Sequence, residues 1–194
     1  PEWTEPEDVP YVAIDTPVIN AGDKVVHGYN AAGTFSFTED SARCEKNGSM
    51  FLVSNDRLSR GKITATLTAP DQYQNDNGIV FGMADNTEKY FFWEDGPAYY
   101  FLFVSDDGAL YLSKVAYNGN AWHPLHITAP MEGYKHGDTI TITVEFDGAG
   151  TIDCYANGVC LISVFDPEWI GGARYGLRCE TAGVTFSEIT VEHK

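Results

Sequence analysis

The regular alternation of apolar and polar residues between positions 138 and 192 constrains the fold most strongly. In segment 138–146, four apolar residues alternate with three threonines and Glu145. A period of two predicts a β-strand with one buried face and one solvated face. The turn sequence Asn157-Gly158 then separates two further strands, and it is a strong hairpin signal. The C-terminal part of the chain therefore predicts an antiparallel meander over 138–146, 151–156, 159–165, 173–180 and 184–192.

Strand signals continue upstream of this meander. Alternating or apolar runs occupy 61–69, 78–84, 99–105 and 109–115, with weaker candidates at 11–14, 33–37 and 50–53. Tyr99–Val104 is apolar on both faces, which is typical of a central strand. No window carries an apolar stripe at helical spacing long enough for a substantial helix. The sequence therefore predicts an all-β fold, an antiparallel β-sandwich.

The final strand contains one irregularity. Val184 and Phe186 are in phase with each other, but Ile189 and Val191 are out of phase with them. A β-bulge inserts one extra residue and so shifts the phase of a strand. We therefore expect a bulge near Ser187-Glu188 that turns both pairs toward the core.

Composition limits the organisation and the partners. The chain has 194 residues, and its 28 acidic and 12 basic residues give a formal charge of −16. This length suits one domain, and we expect a linker at 1–10 followed by a single β-sandwich domain at 11–194. The acidic, proline-containing start indicates a module of a longer multidomain protein. The acidic charge argues against nucleic acid and anionic membranes as partners, and no apolar run is long enough to span a membrane.

The four cysteines, at 44, 154, 160 and 179, lack metal-binding spacing. A two-residue turn at Asn157-Gly158 would pair Cys154 with Leu161 and Cys160 with Tyr155, which places the two thiols on opposite faces. We therefore expect no 154–160 disulfide. A Cys44–Cys179 bond and buried free thiols both stay open, because cysteine packs well as a small hydrophobe.

An ordered series of motifs resembles a known group of proteins. The series comprises Asn77-Gly78-Ile79-Val80-Phe81, Tyr99-Tyr100-Phe101, Gly108-Ala109-Leu110-Tyr111-Leu112, Trp122, Gly137-Asp138, Asn157-Gly158, Gly176-Leu177-Arg178 and Val184-Thr185-Phe186. Over residues 33–192 it resembles concanavalin A-like (laminin-G-like) jelly-roll sandwiches. It is most similar to the fructan-binding modules of levanases and related glycoside hydrolases.

The resemblance implies a non-catalytic carbohydrate-binding module. Such a module would be secreted or at the cell surface, and it would direct a glycoside hydrolase to a polysaccharide, with fructan as one candidate. It would need no cofactor, although structural calcium is common in similar sandwiches. Two alternatives stay open: a sugar hydrolase domain of the keto-disaccharide type, and a laminin-G-like adhesion domain that binds proteins.

Sugar sites combine aromatic faces with carboxylates, amides or arginine, and these indicate the candidate residues. Trp93, Glu94 and Asp95 provide both kinds of group next to a Gly-Pro turn, and Tyr99 follows closely. Trp122 lies beyond an Asn-Gly-Asn loop and is a second aromatic candidate. We expect a shallow site built from loops around these residues. The alternative is that residues 90–93 form a buried strand and that Trp122 seals the end of the sandwich.

Three charged residues complete the candidate set. Arg178 could bind a ligand or form a surface ion pair with Glu180. Glu39 and Arg43 flank a polar turn and could offer a charged pair to sugar hydroxyls, although an ordinary solvated loop explains them equally well.

Metal and catalytic signals are weaker. Calcium takes oxygen ligands of the kind that Asp71, Asn75, Asp76, Asn77 and Asp85 supply, but their spacing matches no EF-hand, and turn formation also explains them. Glucanases with this fold carry a Glu-x-Asp-x-x-Glu run, which the sequence lacks. The histidines are scattered, and the pair at 123 and 126 lacks a third ligand. The sequence therefore favours binding over catalysis.

Overall fold

The computed structural model describes residues 35–48, 50–54, 56–70, 76–84, 98–115, 125–135 and 137–194, and it describes the backbone alone of 12–14, 19–20, 26–28, 117–118 and 121–122. The strands in this part of the chain are β1 (Val12–Ile14), β2 (Ile19–Asn20), β3 (Val26–Gly28), β4 (Phe35–Phe37), β5 (Ser41–Cys44), β6 (Met50–Ser54), β7 (Gly61–Thr68), β8 (Asn77–Met83), β9 (Tyr99–Val104), β10 (Ala109–Val115), β11 (Tyr117–Asn118), β12 (Ala121–Trp122), β13 (His126–Pro130), β14 (Ile140–Phe146), β15 (Thr151–Ala156), β16 (Val159–Phe165), β17 (Arg174–Cys179) and β18 (Thr185–His193).

Two large sheets form the molecule. Sheet A has the strand order β1-β3-β6-β17-β8-β9-β10-β13, and sheet B has the order β16-β15-β14-β7-β18-β5-β4. Neighbours along both orders are antiparallel, and β2 adds a short parallel pair to β18. No helix occurs in the described residues, and so none there is long and apolar enough to span a membrane. The prediction of an antiparallel β-sandwich is confirmed.

The core lies between the two sheets, because each strand turns alternate side chains inward. Leu102 of sheet A and Ile142 of sheet B are both fully buried in it. Phe81 and Phe146 stack across the interface with ring centroids 5.0 Å apart. The alternation in 138–146 therefore predicted the buried face correctly, since Ile140, Ile142, Val144 and Phe146 are all at most 2% exposed.

The predicted irregularities are present. Asn157 and Gly158 form a tight turn with φ values of 47° and 80°, which suits the Asn-Gly hairpin signal. In β18 the register shifts between Ser187 and Thr190, and Glu188 has a φ of 49°. This bulge buries both Phe186 and Ile189, as the change of phase predicted.

The four cysteines form one disulfide and leave two free thiols. Cys44 of sheet B and Cys179 of sheet A form a disulfide that spans 135 residues of sequence. Cys154 is buried and Cys160 is exposed, and neither is bonded, as expected. The predicted register was wrong at one position. A bulge pairs Cys154 with Ile162 rather than Leu161, whereas Cys160 pairs with Tyr155 as predicted.

Lys114 and Asp166 form a buried ion pair. The Lys114 ammonium lies 2.7 Å from the Asp166 carboxylate, and the two side chains are 3% and 2% exposed. The Tyr100 hydroxyl donates to the same carboxylate at 2.6 Å, and the Glu168 amide donates to its other oxygen at 2.9 Å. Burial would by itself raise the pKa of Asp166, but the hydrogen bonds from Lys114 and Tyr100 outweigh it and lower that pKa.

Candidate functional site

The outward face of sheet A carries a second apolar cluster, separate from the core. Strand β9 is apolar on both faces, so Tyr100, Leu102 and Val104 enter the core while its other three residues face outward. The outward cluster consists of Phe51, Val53, Val80, Met83, Tyr99, Phe101 and Phe103, with Tyr111 and Val115 packed against it. This face is therefore unusually aromatic.

Arg178 lies at the centre of one half of this face. Its guanidinium carbon is 5.5 Å from the centre of the Phe51 ring and 4.7 Å from that of Phe101. One terminal nitrogen donates to the Tyr99 hydroxyl at 3.1 Å, and the other donates to the Glu180 carboxylate. The Arg178 and Glu180 side chains are only 16% and 18% exposed. A ligand could therefore reach the edges of this network but not its centre.

An acidic residue borders the Arg178 network. Asp76 accepts a hydrogen bond from the Ser105 hydroxyl at 2.6 Å, while the Asn77 side chain accepts one from the Glu180 amide at 2.8 Å. Burial raises the pKa of Asp76, and the nearby Glu180 charge adds to that shift. Asp71, Asn75 and Asp85 lie outside the described residues. No group of three or more acidic, histidine or cysteine side chains that could hold a metal occurs in the described part, and so calcium stays a prediction.

The other half of the face is more accessible, and we call it the Tyr111 platform. It consists of Tyr111 and Ser113 of β10, His126 and Thr128 of β13, and Asp107 of the turn before β10. Strand pairing places Tyr111 opposite Thr128 and Ser113 opposite His126. Asp107, His126 and Thr128 are exposed, and Tyr111 and Ser113 are half-buried.

The rings of the platform are held in a fixed order. Tyr111 stacks on buried Phe103 with ring centroids 5.1 Å apart and planes 8° apart, and the His126 ring centroid lies 5.3 Å from that of Tyr111, tilted by 33°. The Tyr111 hydroxyl donates to Asp107, and this bond raises the pKa of that phenol. The Ser113 hydroxyl lies 2.6 Å from the His126 Nδ1 atom. Each polar group is thus oriented by a neighbour.

This arrangement has the chemistry that a sugar requires. A fixed aromatic ring can pack against the apolar face of a sugar ring, while hydroxyls, an imidazole and a carboxylate can bond to its hydroxyl groups. Ser113 and His126 are also two of the three residue types of a hydrolase triad, although the serine of a triad bonds to Nε2 and Ser113 bonds to Nδ1. A triad needs a carboxylate on the other ring nitrogen, and none of the described residues shows such a bond to His126.

The structure separates the predicted site residues. Tyr99 begins β9 and is buried, and it contacts Arg178. Glu39 lies in the exposed turn between β4 and β5, and Arg43 lies on β5, where its guanidinium is 3.0 Å from the Glu45 carboxylate. Both of these strands belong to sheet B. Tyr99 and Arg178 therefore meet on one sheet, while Glu39 and Arg43 lie on the other.

The remaining candidates cannot be placed in the site. Trp93, Glu94 and Asp95 lie outside the described residues, between β8 and β9. Trp122 pairs through its backbone with Tyr117, and its side chain is outside the described part. The contribution of these four residues stays a prediction.

Sequence reasoning missed the accessible part of this face. The scattered positions of the histidines gave no reason to place His126 in a site, and no motif indicated Ser113. A usable signal was present, because Ile127 and Ala129 alternate with His126 and Thr128 in β13. That pattern indicates a strand whose polar side chains share one face, next to those of β10.

No protein-family model and no curated protein matches the sequence. The structure is similar to the carbohydrate-binding module CBM66 from Bacillus subtilis, with a TM-score of 0.63 at 16% identity, over 85% of this chain and 94% of that one. It is also similar to the laminarinase catalytic domain from Thermotoga maritima, with a TM-score of 0.56 at 14% identity, over 89% and 78% of the two chains.

A third similar structure is the exoplasmic domain of VIP36, described in a form bound to calcium and a mannose-containing glycan. Its TM-score is 0.53 at 12% identity, over 88% of this chain and 86% of that one. At these identities the likeness concerns the fold alone. It confirms a concanavalin A-like jelly roll, a fold that carries both binding modules and catalytic domains.

Proposed function

We propose that the chain is a non-catalytic carbohydrate-binding domain whose glycan lies across the Tyr111 platform. The observation that supports this most directly is the packing of the half-buried Tyr111 ring on Phe103, beside the polar side chains of His126, Ser113 and Asp107. Buried Phe103 fixes the Tyr111 ring, so little side-chain entropy is lost when a sugar binds. Weak binding suffices for such a domain, because a tether to an enzyme raises the local substrate concentration.

Glycan binding by single-residue variants tests this proposal. Tyr111→Ala removes the stacking surface and should weaken binding about tenfold, since roughly 1.5 kcal/mol of apolar contact is lost. Tyr155→Ala is the matched control, because Tyr155 is also a half-buried tyrosine but lies on β15 of sheet B. Affinity electrophoresis in gels that contain soluble polysaccharides would measure both. Equal binding by the two variants would place the site elsewhere, and Trp93→Ala and Trp122→Ala would be examined next.

The identity of the sugar and the wider context are further parts of the proposal. The similarity to the fructan-binding modules makes levan and inulin the first ligands to test, beside β-glucans and mannans. The Cys44–Cys179 disulfide supports an oxidising, extracellular setting. We further propose that the parent protein is a multidomain glycoside hydrolase, which the domain keeps near its polysaccharide. A calcium requirement would appear as a loss of thermal stability on chelation.

A hydrolase is the alternative function, and the 2.6 Å contact between Ser113 and His126 is the observation that makes it worth testing. Incubation of the chain with fructo-oligosaccharides and gluco-oligosaccharides should release no new reducing ends or smaller products. Turnover that disappears in Ser113→Ala but survives in Ser163→Ala, an exposed serine of β16, would overturn the non-catalytic proposal.

A further inference from the structure

The edge strand β16 differs from the strands at the other sheet edges. It forms one end of sheet B, whereas β4, β1 and β13 form the other ends of the described strand orders. Strands β1 and β4 have three residues each, and β13 ends in a proline, which limits pairing. Strand β16 has seven residues, Val-Cys-Leu-Ile-Ser-Val-Phe, with no charge and no proline. Edge strands of natural proteins are usually short or carry a charge or a proline, and these features prevent pairing with a strand of another molecule.

The most exposed apolar side chains of the described residues also lie on this strand. Val159 is 59% exposed and Phe165 is 62% exposed, and they lie at its two ends. The bulge at Leu161 twists the strand locally but adds no charge. The outer edge of β16 therefore offers both backbone hydrogen-bonding groups and apolar contacts to a partner.

A groove of about 850 Å³ runs beside the first half of β16. Its apolar lining includes Met131, Tyr134, Ile140, Val159 and Leu161, and we call it the edge groove. Two exposed carboxylates, Glu132 and Asp138, also line it, and no lysine or arginine occurs among the lining residues that the structure describes. Burial raises the pKa of the Tyr134 phenol, and the nearby Asp138 charge raises it further.

We propose that β16 is a docking edge for an extended peptide strand of a partner protein, with alternating apolar residues and with basic residues at its ends. The strand adds to sheet B through its backbone, its apolar side chains enter the edge groove, and its basic residues face Glu132 and Asp138. This is β-strand addition, in which main-chain bonds supply affinity and side-chain pockets supply specificity. A basic partner is favoured over a second copy of the chain, because each copy carries a formal charge of −16.

The test uses the whole chain and the synthetic peptide acetyl-Lys-Val-Thr-Val-Thr-Val-Lys-amide. Isothermal titration should show saturable binding that weakens about threefold to tenfold when salt is raised from about 50 to 500 mM. Two control peptides should bind at least about tenfold more weakly: one with both lysines replaced by glutamate, and one methylated on the backbone nitrogens of its threonines.

Variants of the chain locate the site. Glu132→Gln with Asp138→Asn should weaken peptide binding by about threefold to tenfold, and Val159→Lys by at least tenfold. The control pair Asp40→Asn with Glu192→Gln removes the same charge from exposed positions away from β16 and should stay within about twofold. None of these positions lies on the Tyr111 platform, so glycan binding should be unchanged throughout.

Three results would overturn the proposal. The first is equal binding of the lysine and glutamate peptides. The second is an unchanged affinity in Val159→Lys, with circular dichroism showing that the variant is folded. The third is a dimer of the chain in sedimentation velocity that dissociates in Val159→Lys, because a second copy would then occupy the edge.

Discussion

Asp166→Ala is the substitution whose effect on stability the structure defines best. The Asp166 carboxylate accepts hydrogen bonds from the Lys114 ammonium, the Tyr100 hydroxyl and the Glu168 amide. Lys114 is 3% exposed, so its charge cannot reach water in the folded protein. The variant leaves that charge buried with the Glu168 carbonyl as its remaining acceptor, and the Tyr100 hydroxyl keeps its bond from the Ile170 amide but loses its own acceptor. Removing one partner of a buried pair costs about 3–5 kcal/mol.

The cost of the unpaired charge can be separated from the cost of lost side-chain packing. At about 2–4 °C per kcal/mol for a domain of this size, the melting temperature should fall by roughly 6–20 °C. The double variant Lys114→Met with Asp166→Asn removes both charges at nearly constant side-chain volume and keeps an acceptor oxygen for the Tyr100 hydroxyl, so it should recover much of the loss. Arg43→Ala is the control, because its ion pair with Glu45 is exposed, and it should cost less than about 1 kcal/mol.

Urea unfolding followed by tryptophan fluorescence measures these differences. The midpoint should fall in Asp166→Ala with an unchanged slope, which shows that stability rather than compactness has changed. A cost below about 1 kcal/mol would refute the reasoning, since Lys114 would then find water or another partner at little expense. A double variant no more stable than the single one would refute it as well.

Three further predictions concern stability. Replacing both Cys44 and Cys179 by alanine should lower the free energy of unfolding by about 2–5 kcal/mol in denaturant titrations, because the bond closes a loop of 135 residues; an unchanged midpoint would contradict this. Gly176→Ala should lower the free energy of unfolding by at least about 1–3 kcal/mol, since a Cβ there would lie 2.0 Å from the Leu52 carbonyl oxygen. A melting temperature near that of the wild type would contradict this, because the two strands would then move apart at little energetic cost. The folded-state pKa of Asp166 is lowered, so its stabilising contribution is present above the unfolded value of about 4 and is lost as the pH falls below it. Stability should therefore fall between about pH 4 and pH 2, and an equally steep fall in Asp166→Ala would contradict the assignment.

Local pattern was enough to predict the strands of the C-terminal meander. A period of two identifies which face of a strand is buried, and a break in that period identified the bulge at Glu188. The pattern could not predict which hydrogen bonds the threonine hydroxyls on the outward face of sheet B would form. Its threonines pair across β7 and β14, with Thr64–Thr143, Thr66–Thr141 and Thr68–Thr139 oxygens 3.0, 2.9 and 2.8 Å apart.

The candidate site was harder to predict because it depends on strand order. Tyr111 and His126 are fifteen residues apart, and their rings meet only because β10 pairs with β13. Phe103, which supports Tyr111, comes from β9 on the other side. Arg178 stays a predicted site residue, and its contact with Tyr99 joins β17 to β9 across β8. Neighbours in a sheet of non-consecutive strands cannot be read from sequence spacing.

The register of β15 and β16 shows a different limit. The sequence places Cys154 opposite Leu161 when the hairpin is regular, but the observed bulge moves it opposite Ile162. Nothing local marks this bulge, because every residue of β16 except Ser163 can pack as an apolar side chain. The conclusion about Cys154 and Cys160 still held, since the turn itself fixes the pairing of Cys160 with Tyr155.

The proposed function requires that a glycan binds the outward face of sheet A at the Tyr111 platform. A titration of the isotope-labelled chain with the glycan that it binds most tightly, followed residue by residue by amide chemical shifts, tests this most directly. If the glycan lies there, the largest shifts should lie in β10, in β13 and in the turn at Asp107, and they should disappear in Tyr111→Ala. Shifts concentrated on β7 and β14 of sheet B, with none in β10 or β13, would contradict it.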